Sequence, residues 1–405
     1  MLQVYRNTVS SVSKPPTVLL LIAAGEDGEG WCKQFTQEGY NVVHVAYPPS
    51  RDDETTIERI FLQADKEIVN LGEDWALITY GLQSHDARAL LVNMGLSWAY
   101  LKACVHFCPV AVTGKAFVMH DTAGKHIPTT FHLPASQETL HANLAEYCDS
   151  STYDYHLHTS APPPVSIYTY PLVPESPPFP LLTKAPAQII PGDAPPITPH
   201  VRSATSLSLS RTLALLRRCI GPHFDLEAIW EKHGQYEFVD RDAHKTLSTM
   251  VDVPYVNHIA TMTGGTGRQE LLRFYKYHFT GINVTPPDTE MISVSRTVGS
   301  DRIVDEMIFK CTHTTEMDYF LPGVPPTGKK LEFPVVGIIA FRGDKMYFEH
   351  IYWDQACVLV QLGLVDPSKL PVTGVDAARK VLDPFGMPSN TLMARWNESE
   401  GQSLD

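Results

Sequence analysis

Polar and aromatic side chains alternate near the C-terminal end of the chain. In the run that ends at Asp354, His350, Tyr352 and Asp354 occupy every second position. Successive side chains of a β-strand point to opposite faces, so these three would share one face within roughly 13 Å. Burial beside aromatic walls disfavours the charged carboxylate, which raises its pKa towards the range useful for proton transfer. The spacing predicts Asp354 as the proton-transfer group, with His350 and Tyr352 orienting the substrate or polarising its carbonyl.

Each of these residues also has a structural interpretation. Asp354 directly precedes a helical pattern over Gln355–Leu362, and aspartate is a favoured N-cap. Capping and catalysis do not exclude each other. His350 and Tyr352 are equally consistent with a hydrogen-bonded pair in the core. The opposite face of the same strand carries Tyr347, Glu349, Ile351 and Trp353.

A second group of candidates surrounds the predicted strand Arg302–Thr312. One face of this strand leads to His313 and the other carries Glu306, and the pattern does not decide which face points inward. Both residues are therefore alternative substrate-binding groups. Arg296 could polarise a carbonyl or bind a carboxylate, or it could pair with Glu306 or Asp305 across a hairpin.

Neither a metal nor a cofactor is indicated by the sequence. The seven cysteines are widely spaced and form no CxxC pair. The glycine-rich turn Thr263–Gly267 lacks the Gly-Lys-Ser/Thr ending of a phosphate-binding loop. Cofactor-independent chemistry is therefore expected.

Charge and composition restrict the class of partner. The chain has 405 residues and a formal net charge of −13, and its basic residues are scattered. Nucleic acids and anionic membranes both require a concentrated basic patch, so neither is expected as a partner. No apolar run is long enough to span a bilayer, and a cytoplasmic location is expected. The expected partner is a small-molecule substrate or ligand.

The elements that must position these residues fall into two patterns. From residue 17 to residue 170, short apolar strands alternate with helical stretches, which predicts an α/β domain with a doubly wound parallel sheet. After residue 225, helices including Arg268–Phe279 precede a run of antiparallel strands, which predicts a separate α+β domain. The predicted divisions are domain 1–200, connector 201–224, domain 225–388 and tail 389–405.

Five segments of the C-terminal region share the pattern of one known family: Tyr255–His258, Gly264–Phe274, Pro322–Gly328, Lys345–Asp354 and Val360–Gly363. Through them the region resembles the SnoaL-like branch of the NTF2-like superfamily. This resemblance implies a cone-shaped α+β barrel around an apolar pocket, with an acid/base aspartate aligned at Asp354. It further implies that His258 lies near the pocket mouth and that the protein forms a homodimer.

The N-terminal region resembles dienelactone hydrolases of the α/β-hydrolase fold, over Ile127–Leu133 and Val165–Pro171. That family places a nucleophile on a sharp turn after a central strand. Here the position holds Gly81, the expected acid falls near Ser136, and no histidine occurs in 172–176. The resemblance therefore implies a degenerate hydrolase domain that lacks its catalytic triad.

Three functions remain as hypotheses. The leading one is an acid/base enzyme of hydrolase, isomerase or cyclase type. It would act in the C-terminal pocket on a small, apolar, oxygenated metabolite such as a lactone or polyketide-like compound. The second is a non-catalytic binding or interaction protein. The third is a dienelactone-type esterase with a displaced nucleophile such as Ser84 or Cys108.

Overall fold

The computed structural model divides the chain into two compact units, Met1–Phe224 and Asp225–Asp405. It describes residues 2–49, 56–72, 74–111, 113–156, 164–174, 179–281 and 283–404, and the side chains of 148–156 are not described. Positions 175 and 176, part of the segment expected to hold the hydrolase histidine, lie outside the described residues. Within the described ranges, no helix combines the length and the apolar character needed to cross a membrane.

The first unit is built on a seven-stranded sheet with the order β1-β3-β2-β4-β5-β6-β7. All neighbouring strands are parallel except β1, which is antiparallel to β3. The central strands are buried on both faces, as expected of a parallel sheet covered on both sides. The strands are β1 (Leu2–Tyr5), β2 (Thr17–Ile22), β3 (Asn41–Ala46), β4 (Trp75–Tyr80), β5 (Leu101–Phe107), β6 (Thr129–Pro134) and β7 (Val165–Tyr170).

Helices cover both faces of this sheet, and each face has its own apolar cluster. One cluster includes Phe61 and Leu90, and the other includes Trp31 and Leu216. The helices are α1 (Glu26–Gln37), α2 (Ile57–Leu71), α3 (Ser84–Asn93), α4 (Glu138–His156) and α5 (Pro199–Ile220). The segment 201–224, predicted as a connector, lies within this first unit, because α5 buries its apolar side in the second cluster.

The second unit opens with helices and then forms a six-stranded sheet with the order β10-β11-β12-β13-β8-β9. Its neighbouring strands are antiparallel except β13 and β8, which are parallel. The helices are α6 (Leu226–Gly234), α7 (Ala243–Ser248), α8 (Arg268–Phe274), α9 (Gln355–Gln361) and α10 (Asp376–Leu382). The strands are β8 (Met250–His258), β9 (Thr263–Thr266), β10 (Glu290–Val298), β11 (Arg302–Thr312), β12 (Lys330–Arg342) and β13 (Lys345–Trp353).

One face of this sheet packs against the helices of the second unit. Helix α6 contacts β11 and β13, and α8 contacts β8. Burial alternates along the strands, so that Met307, Val335 and Ile351 are buried on the helix side. A cavity lies between the sheet and the helices.

Candidate functional site

Three ionisable side chains meet inside the second unit. His233 Nε2 lies 3.0 Å from Glu237 Oε1 and 3.0 Å from Glu349 Oε1. All three side chains are at least nine-tenths buried. Two carboxylates this close together in a low-dielectric interior repel each other, so the imidazole between them supplies the compensating charge.

Local helix geometry brings His233 and Glu237 together. Helix α6 begins at an N-cap, Asp225, whose Oδ1 accepts a hydrogen bond from Ala228 N at 3.0 Å. The helix continues without a break into a π-helical turn, Gln235–Val239, which places Glu237 four residues after His233 on the buried side. Glu349 approaches from β13, on the opposite wall. π-helical turns are rare and frequent at functional sites.

A second π-helical turn supplies another polar group. It spans Tyr275–Phe279 at the end of α8, and the hydroxyl of its first residue, Tyr275, lies 3.5 Å from His233 Nε2 and donates to Met250 Sδ at 3.9 Å. Burial raises the pKa of the Tyr275 hydroxyl, and Glu349 and Glu237 raise it further, so the hydroxyl stays protonated. Tyr275 therefore borders the cluster as a neutral hydroxyl.

His233 is held as a doubly protonated imidazolium. Its Nδ1 lies 2.6 Å from Thr249 Oγ1, and that hydroxyl donates its own hydrogen to the Thr246 carbonyl at 2.7 Å. Thr249 must therefore accept from Nδ1–H, while Nε2–H donates to Glu237. Burial alone would lower the pKa of His233, but the adjacent Glu237 and Glu349 outweigh it and raise the pKa to about 10.

The hydrogen-bonding positions of the two carboxylates differ. The single Nε2 hydrogen of His233 is directed at Glu237. Glu349 Oε1 lies equally close to Nε2, but it receives no hydrogen bond from any residue in the described part of the chain. Glu349 Oε1 is therefore compensated by the charge of His233 rather than by an aligned hydrogen bond.

Glu237 and Glu349 line the apolar cavity, which has a volume of about 40 Å³. One buried water needs about 10–15 Å³, so the space holds a ligand of only a few heavy atoms. Glu237 sits in an environment where burial, as the largest effect, raises its pKa. Aromatic side chains in the wall include Trp230, Phe274, Tyr275, Phe279, Tyr319 and Phe320.

His258 also lies in the cavity wall, at the end of β8. Its Nδ1 is 3.3 Å from the Thr263 carbonyl oxygen, which can only accept, so Nδ1 carries the hydrogen. Burial lowers the pKa of His258 to about 4, and the ring is neutral at pH 7. The other nitrogen, Nε2, therefore presents a lone pair.

The three residues predicted as catalytic lie elsewhere. Asp354 is the N-cap of α9, where its Oδ1 accepts from Ala356 N at 2.9 Å and from Cys357 N at 3.2 Å. Tyr352 is 41% exposed, and His350 is half-buried beside Tyr255. The cavity is lined by the other face of β13, which carries Glu349 and Ile351.

The remaining predicted binding residues are placed outside the cavity wall. Arg296 Nη2 pairs with Asp305 Oδ2 at 2.8 Å, which is the ion-pair alternative considered for it. Glu306 Oε2 accepts from Ser295 Oγ at 2.8 Å, on the opposite face of β11 from Asp305. His313 is buried, with Nδ1 3.1 Å from Thr327 Oγ1, and burial lowers its pKa.

Four residues of the site were not among the predicted ones: His233, Glu237, Tyr275 and Glu349. A signal for the first two was present, because a histidine and a glutamate four residues apart lie on one face of a helix. Glu349 was visible on the alternative face of β13. Its burial depends on which face the helices cover, and no local pattern shows that.

The same three side chains contain a metal-binding donor set. The ligand atoms of His233, Glu237 and Glu349 all lie within 4.8 Å of one another. A metal requires a free lone pair on the imidazole. Nδ1 of His233 bonds Thr249 and Nε2 faces both carboxylates, so the same geometry suits an ion-paired imidazolium or a metal held by a neutral Nε2 and the two carboxylates.

Solved structures similar to this chain include SnoaL-like polyketide cyclases and NTF2-like proteins. A putative SnoaL-like polyketide cyclase from Jannaschia sp. CCS1 is 16% identical, covering 36% of this chain and 99% of that one, with a TM-score of 0.27. IdmH, a putative polyketide cyclase from Streptomyces antibioticus, is 18% identical, covering 35% and 99%, with a TM-score of 0.28. TsrD from Streptomyces laurentii is 13% identical, covering 35% and 100%, with a TM-score of 0.28.

No protein-family model matches the sequence, and no curated protein matches it. The similarity to solved structures concerns about a third of the chain. The resemblance of the N-terminal region to dienelactone hydrolases stays a prediction.

Proposed function

We propose that the cavity of the second unit is the active site of a cofactor-independent acid/base enzyme of hydrolase, isomerase or cyclase type. Its substrate is a small, largely apolar, oxygenated molecule. The observation that carries this proposal is the Glu349 carboxylate, which lines an aromatic cavity and keeps one oxygen without a hydrogen-bond donor. Such a carboxylate oxygen, compensated only by the charge of His233 within the described residues, gains a directional bond when it accepts a proton from a bound substrate.

The cluster around Glu349 suits a reversible proton transfer. Before the reaction, the His233 imidazolium faces two carboxylates, so the ionised cluster has one negative charge in excess. When Glu349 accepts a proton from the substrate, the cluster becomes neutral, and the negative charge moves to the substrate, which keeps the electron pair of the broken bond. Glu349 can then return the proton to another atom of the substrate. Glu237, which lies 3.0 Å from His233 Nε2, keeps the imidazolium in place throughout.

The size of the cavity narrows the substrate range. At about 40 Å³, the cavity accepts a compact molecule or the end of a longer one. A polyketide-sized ring system enters only if wall side chains move. Met291 and Met307 are unbranched residues in that wall, and methionine adapts its shape readily. Compact lactones, ketones and epoxides, each with and without a hydroxyl group, are therefore the first compounds to test.

The decisive variant is Glu349→Gln, which keeps the shape of the side chain and removes its capacity to take a proton. Turnover of the compact compounds, followed by NMR in D₂O, reports both product formation and exchange of substrate C–H protons. General acid/base groups contribute roughly 10²- to 10⁴-fold to a rate, and a loss of that size is expected in kcat. Glu306→Gln is the matched control, because Glu306 lies on the face of β11 that points away from the cavity. Its kcat should stay within about twofold of the wild-type value.

The proposal is contradicted if Glu349→Gln keeps the kcat of the wild type on a compound that the wild type turns over. It is also contradicted if the wild type neither converts nor exchanges any compound that NMR shows to be bound in the cavity. The second outcome would favour the non-catalytic binding protein.

We also propose that the first unit is a degenerate hydrolase-like scaffold. The support is Gly81, which directly follows β4 with a φ of 64°. Hydrolases of this fold place a strained nucleophile at the turn after a central strand, and here the turn has no side chain. The displaced candidates also fit structural roles. Ser84 begins helix α3, and Cys108 is buried behind β5.

A further inference from the structure

The hydrogen-bond donors on the cavity wall are already engaged by protein acceptors. Trp230 Nε1 donates to Asp305 Oδ2 at 2.8 Å. The Tyr275 hydroxyl donates to Met250 Sδ at 3.9 Å. Neither side chain therefore has a hydrogen left for a ligand, since each carries only one.

Tyr319, the other hydroxyl in the wall, is engaged as well. Its oxygen lies 3.1 Å from Thr285 Oγ1, and Thr285 donates its own hydrogen to the Phe279 carbonyl at 2.8 Å. Thr285 must therefore accept the Tyr319 hydrogen. This leaves no free donor among the Trp, Tyr and Thr groups considered.

The wall groups that can still form a hydrogen bond with a ligand are acceptors. Glu349 Oε1 accepts no aligned hydrogen bond from the described residues, and His233 Nε2 lies 3.0 Å from it as an ion-pair partner. His258 uses Nδ1–H for the Thr263 carbonyl and is neutral, so Nε2 offers a lone pair. A ligand that only accepts hydrogen bonds would leave both groups unsatisfied and lose its own bonds to water.

The charges around the cavity also favour ligands that donate hydrogen bonds, and they disfavour anions. The described residues that line the cavity include two glutamates and no lysine or arginine. Arg296, beyond the Trp230 indole, is held by Asp305. A carboxylate or phosphate ligand would therefore bring a further negative charge towards Glu349 with no cation to receive it. The aromatic walls, by contrast, attract a cation through their ring faces.

We infer that this cavity selects small ligands that donate hydrogen bonds, carrying a hydroxyl or an ammonium group, over ligands that only accept hydrogen bonds and over anions. The inference rests on the proposed function in one respect, because it concerns the same cavity and names the class of substrate. The hydroxyl or ammonium group donates to Glu349 or to His258, and the apolar part of the ligand contacts the aromatic walls. A ketone or an epoxide without a hydroxyl is a poor ligand on this account.

Four probes of equal heavy-atom count test this selectivity. These are 2-propanol, isopropylammonium, acetone and acetate, each small enough for the cavity. The full-length protein, with ¹³C-labelled methyl groups, is titrated with each probe, and the NMR signals of Ile351, Val256 and Met307 report binding because these residues line the cavity. Saturable shifts are expected for 2-propanol and isopropylammonium, with acetone about tenfold weaker and acetate without a saturable shift.

The variant Glu349→Gln provides a matched comparison, because an amide presents a donor where the carboxylate presents none. In this variant acetone should gain affinity and isopropylammonium should lose it. His350→Gln, on the outer face of β13, should leave the whole series unchanged. The hydroxyl and ammonium probes separate the two donor classes, since a preference for isopropylammonium shows that charge adds to hydrogen bonding.

Acetone binding as tightly as 2-propanol would overturn the inference, as would saturable binding of acetate. Absence of saturable shifts with both donor probes overturns it too. These binding results are independent of turnover. A cavity that selects donors but catalyses no exchange refutes the proposed function alone, and a Glu349-dependent enzyme that prefers acetone refutes this inference alone.

Discussion

His233 places a positive charge between two carboxylates that water does not screen. Removing one partner of a buried ion pair typically costs about 3–5 kcal/mol, because the remaining charges are uncompensated. His233→Gln should therefore lower the free energy of unfolding of the second unit by about that amount. Chemical denaturation followed by NMR of the methyl groups of Ile351 and Val256, which line the cavity, measures it. His350→Gln, at a half-buried outer position, should change stability by no more than about 0.5 kcal/mol. A His233→Gln variant as stable as this control would contradict the account.

The same histidine makes stability depend on pH. The pKa of His233 is about 10 in the folded protein and close to 6.5 when unfolded. Because the folded pKa is higher, the stabilisation is fully present below about pH 6.5 and is lost as pH rises towards 10. The stability difference between wild type and His233→Gln should therefore shrink between pH 7 and pH 10. A difference that stays constant over this range would show that His233 is not charged in the folded state.

Residue types were easier to predict from the sequence than residue roles. The sequence singled out His258, which lies in the cavity wall. For Arg296 it left two alternative roles open, ligand binding and an ion pair, and the structure shows the ion pair with Asp305. His233 and Glu237 were missed because their importance depends on Glu349, which is more than a hundred residues away in the sequence. Convergence of that kind depends on tertiary packing, and local spacing does not encode it.

At the scale of elements, variants of Asp354 distinguish a helix-capping role of this residue from a catalytic role. Its carboxylate accepts from two backbone N–H groups at the start of α9. Asp354→Ala should therefore cost about 1 kcal/mol of stability, and Asp354→Asn should cost much less because asparagine caps as well as aspartate. Thermal denaturation measures both, and kcat should be unchanged in each. A large loss of kcat in Asp354→Asn with stability intact would restore Asp354 as the proton-transfer group.

The limits of element prediction are visible in β13 and α8. The alternating pattern correctly indicated a strand ending near Trp353, but alternation is symmetric and does not show which face is covered. The helical pattern over Arg268–Phe279 gave no sign that the last five residues form a π-helical turn. That turn and the one holding Glu237 depend on tertiary packing around the cavity.

At the scale of the whole molecule, the first unit should lack a reactive nucleophile. Cys32, Cys104 and Cys108 are buried, and burial raises the pKa of Cys32 to about 12 and that of Cys104 further still. A thiol reagent at pH 7.5 should label these three residues slowly in the native protein and rapidly in urea, as measured by peptide mass spectrometry. Rapid native labelling of Cys108 would favour the displaced-nucleophile esterase.

The two-part organisation was the most predictable feature, because strand-and-helix alternation gives way to a different pattern around residue 225. The role of α5 was less predictable. Residues 201–224 were predicted as a connector, yet Leu213 and Leu216 of α5 pack in the core of the first unit. An apolar side in a helical sequence pattern predicts that this side is buried, but it does not predict which surface the helix packs against.

The central claim is that proton transfer depends on Glu349, which lies on the cavity-facing side of β13. It does not depend on Asp354, the N-cap of α9. The most direct measurement compares kcat and C–H exchange for the wild type, Glu349→Gln and Asp354→Asn on one compact substrate in D₂O. We predict a loss of roughly 10²-fold or more in Glu349→Gln and an unchanged rate in Asp354→Asn. The reverse pattern, with Glu349→Gln active and Asp354→Asn inactive, would contradict the account.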